Sequence, residues 1–216
     1  MTIIVDNIGE GSIERARTLL AGIPGGAEKA IKAALTRAAS HLRTNAEKEV
    51  RKRYDITSAN LRSDKNVGIK YVYGGGSVSA YVNFSGQKIP LYRYGGASPK
   101  EPTKDKSRGI VIVPINGEKR PAYPNVAASG HQLKSTGVTR FENAFTARMK
   151  SGHVGIFERT GAATSTGSDQ IRELMGSSFP QMLGNKEVSE ELSKAAYEKF
   201  EERLEHEILA VMNGWR

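Results

Sequence analysis

Residues 27–54 read AEKAIKAALTRAASHLRTNAEKEVRKRY and contain neither glycine nor proline. Apolar side chains recur in this stretch at steps of three and four residues, which predicts a long amphipathic helix with one narrow buried stripe. The breaker cluster at residues 22–26 favours a helix start near Ala27. The stripe consists of Ile31, Leu35, Ala38, Leu42, Ala46 and Val50.

A second uninterrupted helix is predicted from Glu187 to about Met212 by the same periodicity. Glu and Lys occupy most of the positions between its apolar residues, as on a solvated helix surface. The apolar stripe of this helix consists of Val188, Leu192, either Ala195 or Ala196, Phe200, Leu204, Ile208 and Val211.

The segment between the two helices changes to a period of two residues, which indicates strands. Alternating apolar residues at 67–71 and 78–84 flank Gly74–Gly76 and predict a hairpin. The apolar run Ile110–Ile115 ends at Asn116–Gly117, a dipeptide favoured in tight hairpin turns.

Another hairpin is predicted around Gly152, with residues 141–149 leading in and Val154–Phe157 leading out. The four-residue spacing of Phe141, Phe145 and Met149 would also suit a helix. We prefer the strand because Gly152 supplies a turn directly after it.

These elements predict an α+β fold, with an antiparallel β-sheet of about four to five strands packed against a long N-terminal helix and a long C-terminal helix. We expect one domain spanning residues 1–216. Residues 87–109 combine Pro, Gly and Lys and predict a long exposed loop, and residues 121–137 are expected to be irregular. The Gly/Ser/Thr/Ala composition near residues 160–169 predicts a flexible segment.

Composition restricts the class of protein. The chain has 216 residues, a formal net charge of +9 and no cysteine, which excludes disulfides and thiolate metal sites. No run of residues approaches the length and hydropathy of a membrane span, so we expect a soluble protein without a membrane partner. The positive charge favours contact with a polyanion.

No motif points to catalysis. The four histidines, His41, His131, His153 and His206, fall in different predicted elements, and none belongs to a zinc motif. Glu202 lies four residues from His206, a pairing that is common on solvated helix faces. Neither a nucleophile elbow nor a phosphate-binding glycine loop is present. We therefore predict a protein that is not an enzyme and has no catalytic, metal or cofactor site.

Basic residues form three groups: residues 43–53, residues 88–108 and the pair 119–120. Tyr92 and Tyr94 flank Arg93, a mixture of stacking and cationic groups that suits either nucleic acid or a protein interface. The two partners cannot be separated by residue type. The candidate contact residues are Arg51, Lys52, Arg53, Lys88, Arg93, Lys100, Lys104, Lys106, Arg108, Lys119 and Arg120.

Four ordered segments resemble a known family. Residues 27–56 form the first, GQKIPL at 86–91 the second, FTARMKSGHVGIFER at 145–159 the third and GSSFPQML at 176–183 the fourth. The third is similar to the family pattern AF.A.M..GH.G.F.R and the fourth to G.S.PQM. Together they resemble the prophage minor tail protein Z, or tail completion, family of long-tailed phages. Residues 94–109 match no part of that pattern.

The resemblance implies a structural virion protein at the head-proximal end of the tail, assembled in the host cytoplasm and needed for head–tail joining. It also implies a homo-oligomeric ring, with a hexamer as one option, in contact with other tail and neck proteins. Basic residues lining such a ring would meet the genomic DNA that passes along its axis. The alternatives are another neck protein, such as a connector or tail terminator, a sequence-independent DNA-binding protein, and an unrecognised hydrolase.

Overall fold

A computed structural model describes residues 2–5, 10–62, 65–74, 77–115, 118–165 and 168–214. In chain order, the elements are β1 (Thr2–Val5), α1 (Glu10–Leu19), α2 (Gly26–Arg53), α3 (Ser58–Arg62), β2 (Lys65–Gly74), β3 (Ser77–Gly86), β4 (Lys88–Pro90), β5 (Val111–Ile115), β6 (Glu118–Ala122), β7 (Ala127–Gly130), β8 (Thr139–Arg148), β9 (Val154–Ala163), β10 (Asp169–Glu173), β11 (Met175–Ser178), α4 (Phe179–Leu183) and α5 (Lys186–Met212). Short 3₁₀ turns lie at Leu91–Arg93 and Lys106–Arg108.

The chain divides into two compact units. The helical unit comprises Met1–Val50, Lys65–Gln87 and Phe179–Arg216. The strand unit comprises Arg51–Asp64 and Lys88–Ser178. The chain passes between the units four times, after Val50, Asp64, Gln87 and Ser178. The first of these points lies in the last turn of helix α2, and the last lies at the start of helix α4.

Two long helices dominate the helical unit and pack antiparallel to each other. A methyl group built on Gly26 at the start of α2 would lie 3.1 Å from a Val211 methyl near the end of α5. His41, further along α2, senses the charges of Lys199 and Glu202 on α5. The start of one helix therefore meets the end of the other.

Each long helix buries its apolar stripe. All six stripe positions of α2 are buried, with Ala38, Ala46 and Val50 fully inaccessible. The C-terminal helix is confirmed, and Ala196, rather than Ala195, occupies the ambiguous stripe position. Burial of these faces, rather than helix propensity, supplies most of the stability of such helices.

A three-stranded antiparallel sheet in the order β1-β3-β2 completes the helical unit. The predicted hairpin of β2 and β3 is confirmed, although Gly75 and Gly76 of its turn lie outside the described residues. Phe84 of β3 packs edge-to-face against Phe179 of α4, with ring centroids 5.8 Å apart. Helix α1 lies along α5, where Arg15 pairs with Glu205 at 2.6 Å.

The strand unit contains a four-stranded antiparallel sheet in the order β10-β9-β8-β7. Residues 139–148 form strand β8, which confirms the strand over the alternative helix. Strands β11 and β4 pair with each other, as do β5 and β6. The structure does not confirm the predicted single sheet. Pro114 and Pro121 lie on opposite strands of the β5–β6 pair and lack the amide hydrogen needed to extend its ladder.

The predicted exposed loop at 87–109 is corrected in its first half. Ile89 and Tyr94 are fully buried and Ala97 is nearly so. The Ser98 and Ser129 backbones exchange two hydrogen bonds of 2.9 and 2.7 Å, which anchor this segment to β7. The glycines and prolines had led us to expect a backbone bonded to solvent. Instead, backbone groups of this segment form hydrogen bonds with another part of the chain. Residues 100–104 and 106–110 are exposed.

Two other predicted irregular segments contain strands. Strand β7 falls within residues 121–137, and β9 and β10 reach into residues 160–169. Residues 166 and 167 of the second segment lie outside the described part of the chain.

Candidate interaction surfaces

The strand unit contains one histidine–carboxylate pair with partial burial. His131 Nε2 lies 2.8 Å from Asp55 Oδ2, so Nε2 carries the proton donated to the carboxylate. The other ring nitrogen, Nδ1, faces Gly96, where a methyl group would come within 2.4 Å of it. Nδ1 has no hydrogen-bond partner among the described residues. The contact joins residues 55 and 131, which are far apart in the sequence, and so helps to fix the loop that carries His131.

A cavity of about 620 Å³ lies beside this pair. Several polar side chains that line it contact other residues of the strand unit. Gln132 Oε1 accepts hydrogen bonds from the Ser177 amide at 2.8 Å and the Ser177 hydroxyl at 2.9 Å. Glu158 pairs with Arg172, and Glu142 lies 3.3 Å from Arg140. In none of these contacts does a hydroxyl group donate a hydrogen bond to a side chain that could act as its general base.

A second histidine–carboxylate contact involves His153, which lies directly before β9. Its Nε2 is 2.8 Å from Oε1 of Glu173 on β10. Within the described ranges, no group of three or more histidine and carboxylate side chains could hold a metal ion. No helix in those same ranges is long and apolar enough to cross a membrane.

His41 of α2 is expected to make stability depend on pH. Burial, and then the positive charges of Lys199 and Lys48, lower its pKa from the usual 6.5, whereas Glu202 opposes the shift. The unfolded chain therefore binds this proton more readily than the folded chain. It follows that the free energy of unfolding decreases as the pH falls below the unfolded pKa.

The variant His41→Gln removes this titration and preserves a polar partner for Asn45, whose amide lies 2.9 Å from His41 Nε2. We expect the melting temperature of the variant to fall less than that of the parent between about pH 7.5 and about pH 5.5. Scanning fluorimetry at both values measures the difference. Equal losses in the two proteins would contradict the assignment to His41.

The eleven predicted contact residues all lie in the strand unit, where they are distributed over several elements. At the end of α2, Arg51 and Lys52 are exposed, while Arg53 is half-buried. The carbonyl oxygen of Arg53 accepts a 2.9 Å hydrogen bond from the Lys134 amide. The Arg51 and Lys52 side chains are therefore at the surface, and the Arg53 backbone contributes to the fold.

The predicted cluster of tyrosine and basic residues is corrected. Tyr94 is 0% exposed, so its ring cannot stack on a base or on another protein. Lys100 Nζ donates to the Tyr94 carbonyl at 3.3 Å and lies 5.4 Å from the Tyr92 ring centroid. Arg93 is half-buried, whereas Lys88 is exposed.

Lys104, Lys106 and Arg108 are exposed and lead directly into the β5–β6 hairpin, which carries Lys119 and Arg120 on its second strand. Arg120 pairs with Glu118 at 2.6 Å. We call residues 104–115 and 118–122 the arm. The structure brings these five predicted residues onto adjacent elements of the chain.

The arm also exposes apolar side chains that the sequence had assigned to a sheet. Ile110 is 62% exposed and Ile112 is 63% exposed. Ile112 pairs across the hairpin with Pro121, so these two residues share a face, and Pro121 is exposed too. An exposed apolar patch with basic neighbours indicates an interaction surface.

A second basic surface was missed as a candidate site. It lies on helix α2 and consists of exposed cations before the predicted cluster at its end. The available signal was that none of them occupies a position of the apolar stripe, so all five were expected on the exposed part of the helix. We call these residues the basic face: Lys29, Lys32, Arg37, Arg43 and Lys48.

No family model, curated protein or solved structure matches the chain.

Proposed function

We propose that this protein is a structural subunit of a long-tailed phage virion, located at the head-proximal end of the tail, where it completes the tail for joining to the head. The order of the four segments that resemble the tail completion family carries this proposal. In the fold, those segments fall on α2, on β4, on the β8–β9 hairpin and on β11 followed by α4. All four segments therefore include helices or strands of the fold, as we expect if the resemblance reflects a structural role.

The arm supports an assembly role through its shape and surface. Strands β5 and β6 of the arm contact each other far more than either of them contacts any other described element. A subunit of a ring must offer each neighbour a complementary surface, and an apolar, basic projection is suited to that purpose. Pro114 and Pro121 oppose addition of a further strand on either edge, so a partner would contact the face that carries Ile110 and Ile112.

We propose further that copies of the chain form a closed ring, with a hexamer as one option, and contact other tail and neck proteins. The exposed Ile110 and Ile112 side chains would become buried between neighbouring copies. Burial of this kind supplies the favourable free energy of association, and the surrounding cations select the partner surface.

Electron microscopy of labelled tails tests the location. Because the chain has no cysteine, a single introduced cysteine accepts one gold label. Ser151→Cys in the β8–β9 turn and Ser193→Cys on α5 both replace exposed residues and provide independent labels in the two units. The labelled proteins would be added to particles assembled without this protein.

We expect both labels at the head-proximal end of the tail. The cysteine-free parent, treated in the same way, controls for non-specific gold. Labels elsewhere on the particle, or particles that incorporate no labelled protein although the labelled protein is folded, would overturn the proposal.

A further inference from the structure

Five large apolar side chains are more than half exposed in the part of the chain that the structure describes. Val138 is separate in sequence from the others, which form two pairs. Ile110 and Ile112 form one pair in the arm, and Leu209 and Met212, at 58% and 53% exposure, form the other at the end of α5. Closely spaced exposed apolar side chains indicate contact surfaces, so both pairs are candidates.

The arm presents its apolar pair on a face that carries positive charge. Ile112 pairs across the hairpin with Pro121, and Lys119 lies on the same face because it is two residues from Pro121. Glu118 and its ion-pair partner Arg120 lie on the opposite face. The acidic side chain of the hairpin therefore does not compensate Lys119.

The segment that leads into the hairpin adds further positive charge. Lys104, Lys106 and Arg108 are exposed, and none of them forms an ion pair with a described residue. Asp105 lies among them and accepts a hydrogen bond from the Ser107 amide at 3.1 Å. Counted over the whole arm, five Lys or Arg residues and two acidic residues give a net charge of +3.

The apolar pair of α5 lies next to carboxylates instead. Residues 198, 202, 205, 209 and 212 follow one another at steps of four and three, which places them on one face of the helix. All five are exposed. We call them the acidic stripe: Glu198, Glu202, Glu205, Leu209 and Met212.

Neighbouring cations compensate the acidic stripe only in part. Lys199 pairs with Glu202, and Arg15 pairs with Glu205, both at 2.6 Å. Glu198 forms no ion pair with a described residue. Helix α5 as a whole contains eight Glu residues and four Lys or Arg residues, a net charge of −4 without its histidine. Exposed ion pairs contribute little free energy, so they do not prevent these carboxylates from meeting an incoming cation.

Helix α1 extends the apolar end of the acidic stripe. It contacts α5 through Ser12 with Glu201 at 2.5 Å and through Arg15 with Glu205 at 2.6 Å. Both contacts advance in the same direction, so the two helices run parallel to each other. Leu19 lies one turn after Arg15 and is 46% exposed, which places a third apolar side chain beside the end of the stripe.

We propose that the arm of one copy of the chain docks on the acidic stripe of the next copy. Ile110 and Ile112 would pack against Leu209 and Met212, and the cations of the arm would meet the carboxylates of the stripe. Association would bury both apolar pairs, and the opposite charges would orient the two surfaces.

The spacing of charge and apolar residues agrees between the two surfaces. Along the axis of α5, Leu209 lies about 17 Å from Glu198 at 1.5 Å per residue. Along the arm, Ile112 lies at most about 13 Å from Arg108 and about 20 Å from Lys106 at 3.3 Å per residue. An apolar contact between the arm and the stripe therefore leaves their charged residues within reach of each other.

A second copy fits both surfaces, whereas a different protein would account for only one of the two apolar pairs. The arm belongs to the strand unit and the acidic stripe to the helical unit. The contact thus uses a different surface on each of the two copies, and a copy that accepts an arm still offers its own. Contacts of this heterologous kind continue from copy to copy until a ring closes. The inference rests on the ring in the proposed function and names the surfaces that form it.

Charge reversal in two separate proteins tests the contact. The arm variant carries Lys106→Glu and Arg108→Glu, and the stripe variant carries Glu198→Lys and Glu202→Lys. A control protein carries Arg43→Glu and Lys48→Glu, two exposed positions of the basic face, and has the same net charge as the arm variant. Sedimentation velocity over a series of protein concentrations at about 50 mM salt measures association, and circular dichroism verifies that each protein is folded.

We expect the parent and the control to associate and each reversed variant alone to lose at least about tenfold in affinity, because like charges then face each other. An equimolar mixture of the two variants should return to within about threefold of the parent affinity. In that mixture, the negative arm of one protein meets the positive stripe of the other, and the two unchanged surfaces also meet.

Three results would overturn the inference. Equal losses in the control and the arm variant would show that net charge, rather than the arm, determines association. A mixture of folded variants that does not recover would show that the arm and the stripe do not meet. A parent that stays monomeric at its highest soluble concentration would exclude the contact. In each case, gold labels at the head-proximal end of the tail would still support the proposed location, so the two failures are distinguishable.

Discussion

Replacing Phe200 with alanine is expected to lower the free energy of unfolding of the helical unit by about 3–5 kcal/mol. Phe200 is 0% exposed at the centre of the buried face of α5. Removing the ring loses the free energy gained when the ring was transferred from water into the core. It also leaves a cavity that the surrounding residues can only partly fill. Both losses act on the face that joins α5 to the rest of the unit.

The matched control is Tyr197→Ala, which removes a similar ring from the same helix one turn earlier. Tyr197 is 43% exposed, so we expect a change of about 1 kcal/mol or less. Urea unfolding followed by circular dichroism measures both variants, and hydrogen exchange with mass spectrometry locates the loss within the chain. A Phe200→Ala protein as stable as the control would contradict the proposed core.

The variant Tyr94→Ala is expected to destabilise the strand unit by a similar amount, about 3–5 kcal/mol. Tyr94 is 0% exposed, and its hydroxyl donates to the Ser177 carbonyl at 2.9 Å. Its ring edge fills the space beside Gly176, where a methyl group would come within 2.6 Å. Removal of the ring therefore leaves a cavity between the 3₁₀ turn at Leu91–Arg93 and strand β11.

Tyr94→Phe separates the hydrogen bond from the packing. It retains the ring and leaves the Ser177 carbonyl without this donor, so we expect a loss of about 1–2 kcal/mol. Hydrogen exchange of residues 88–178 reports on this unit specifically. If Tyr94→Ala were no more destabilising than Tyr94→Phe, Tyr94 would not be a core residue, and the original interpretation of an exposed stacking surface would return.

Local periodicity was sufficient for the elements that contain their own pattern. The stripes of α2 and α5 and the hairpins β2–β3 and β8–β9 depend on residues close together in sequence, and those residues carry a repeat of either 3.6 or 2 positions. The arm hairpin also followed from its apolar run and the Asn116–Gly117 dipeptide, whose own geometry lies outside the described residues.

Elements with weak patterns were missed. Helix α1 is short, and Ala16 is its one buried residue among those of its positions whose burial is described; it also pairs with α5 through Arg15 and Glu205. Strand β7 has the sequence AASG, which has a low strand propensity, and it becomes a strand through its pairing with β8. In both cases a partner distant in sequence contributes what the local residues lack.

The basic residues show the same division. Their number and clustering were visible in the sequence, which led to eleven candidate positions at the end of α2, in the loop and in the arm. Lys100 proved to be held by Tyr94 and Tyr92, whereas Lys29, Arg37 and Arg43 proved to be exposed without ion pairs among the described residues. Whether a cation is available depends on neighbours that charge counting does not identify.

The amphipathic helices α2 and α5 and the antiparallel hairpins follow from the sequence alone, because each of these features arises from contacts within a few residues. Tertiary contacts account for the division of the strands among several sheets, for the pairing of Ile3 of β1 with Val82 of β3, and for the burial of Tyr94. Those outcomes depend on which distant segments compete most successfully for the same backbone hydrogen bonds and apolar surface, and no local repeat encodes that competition.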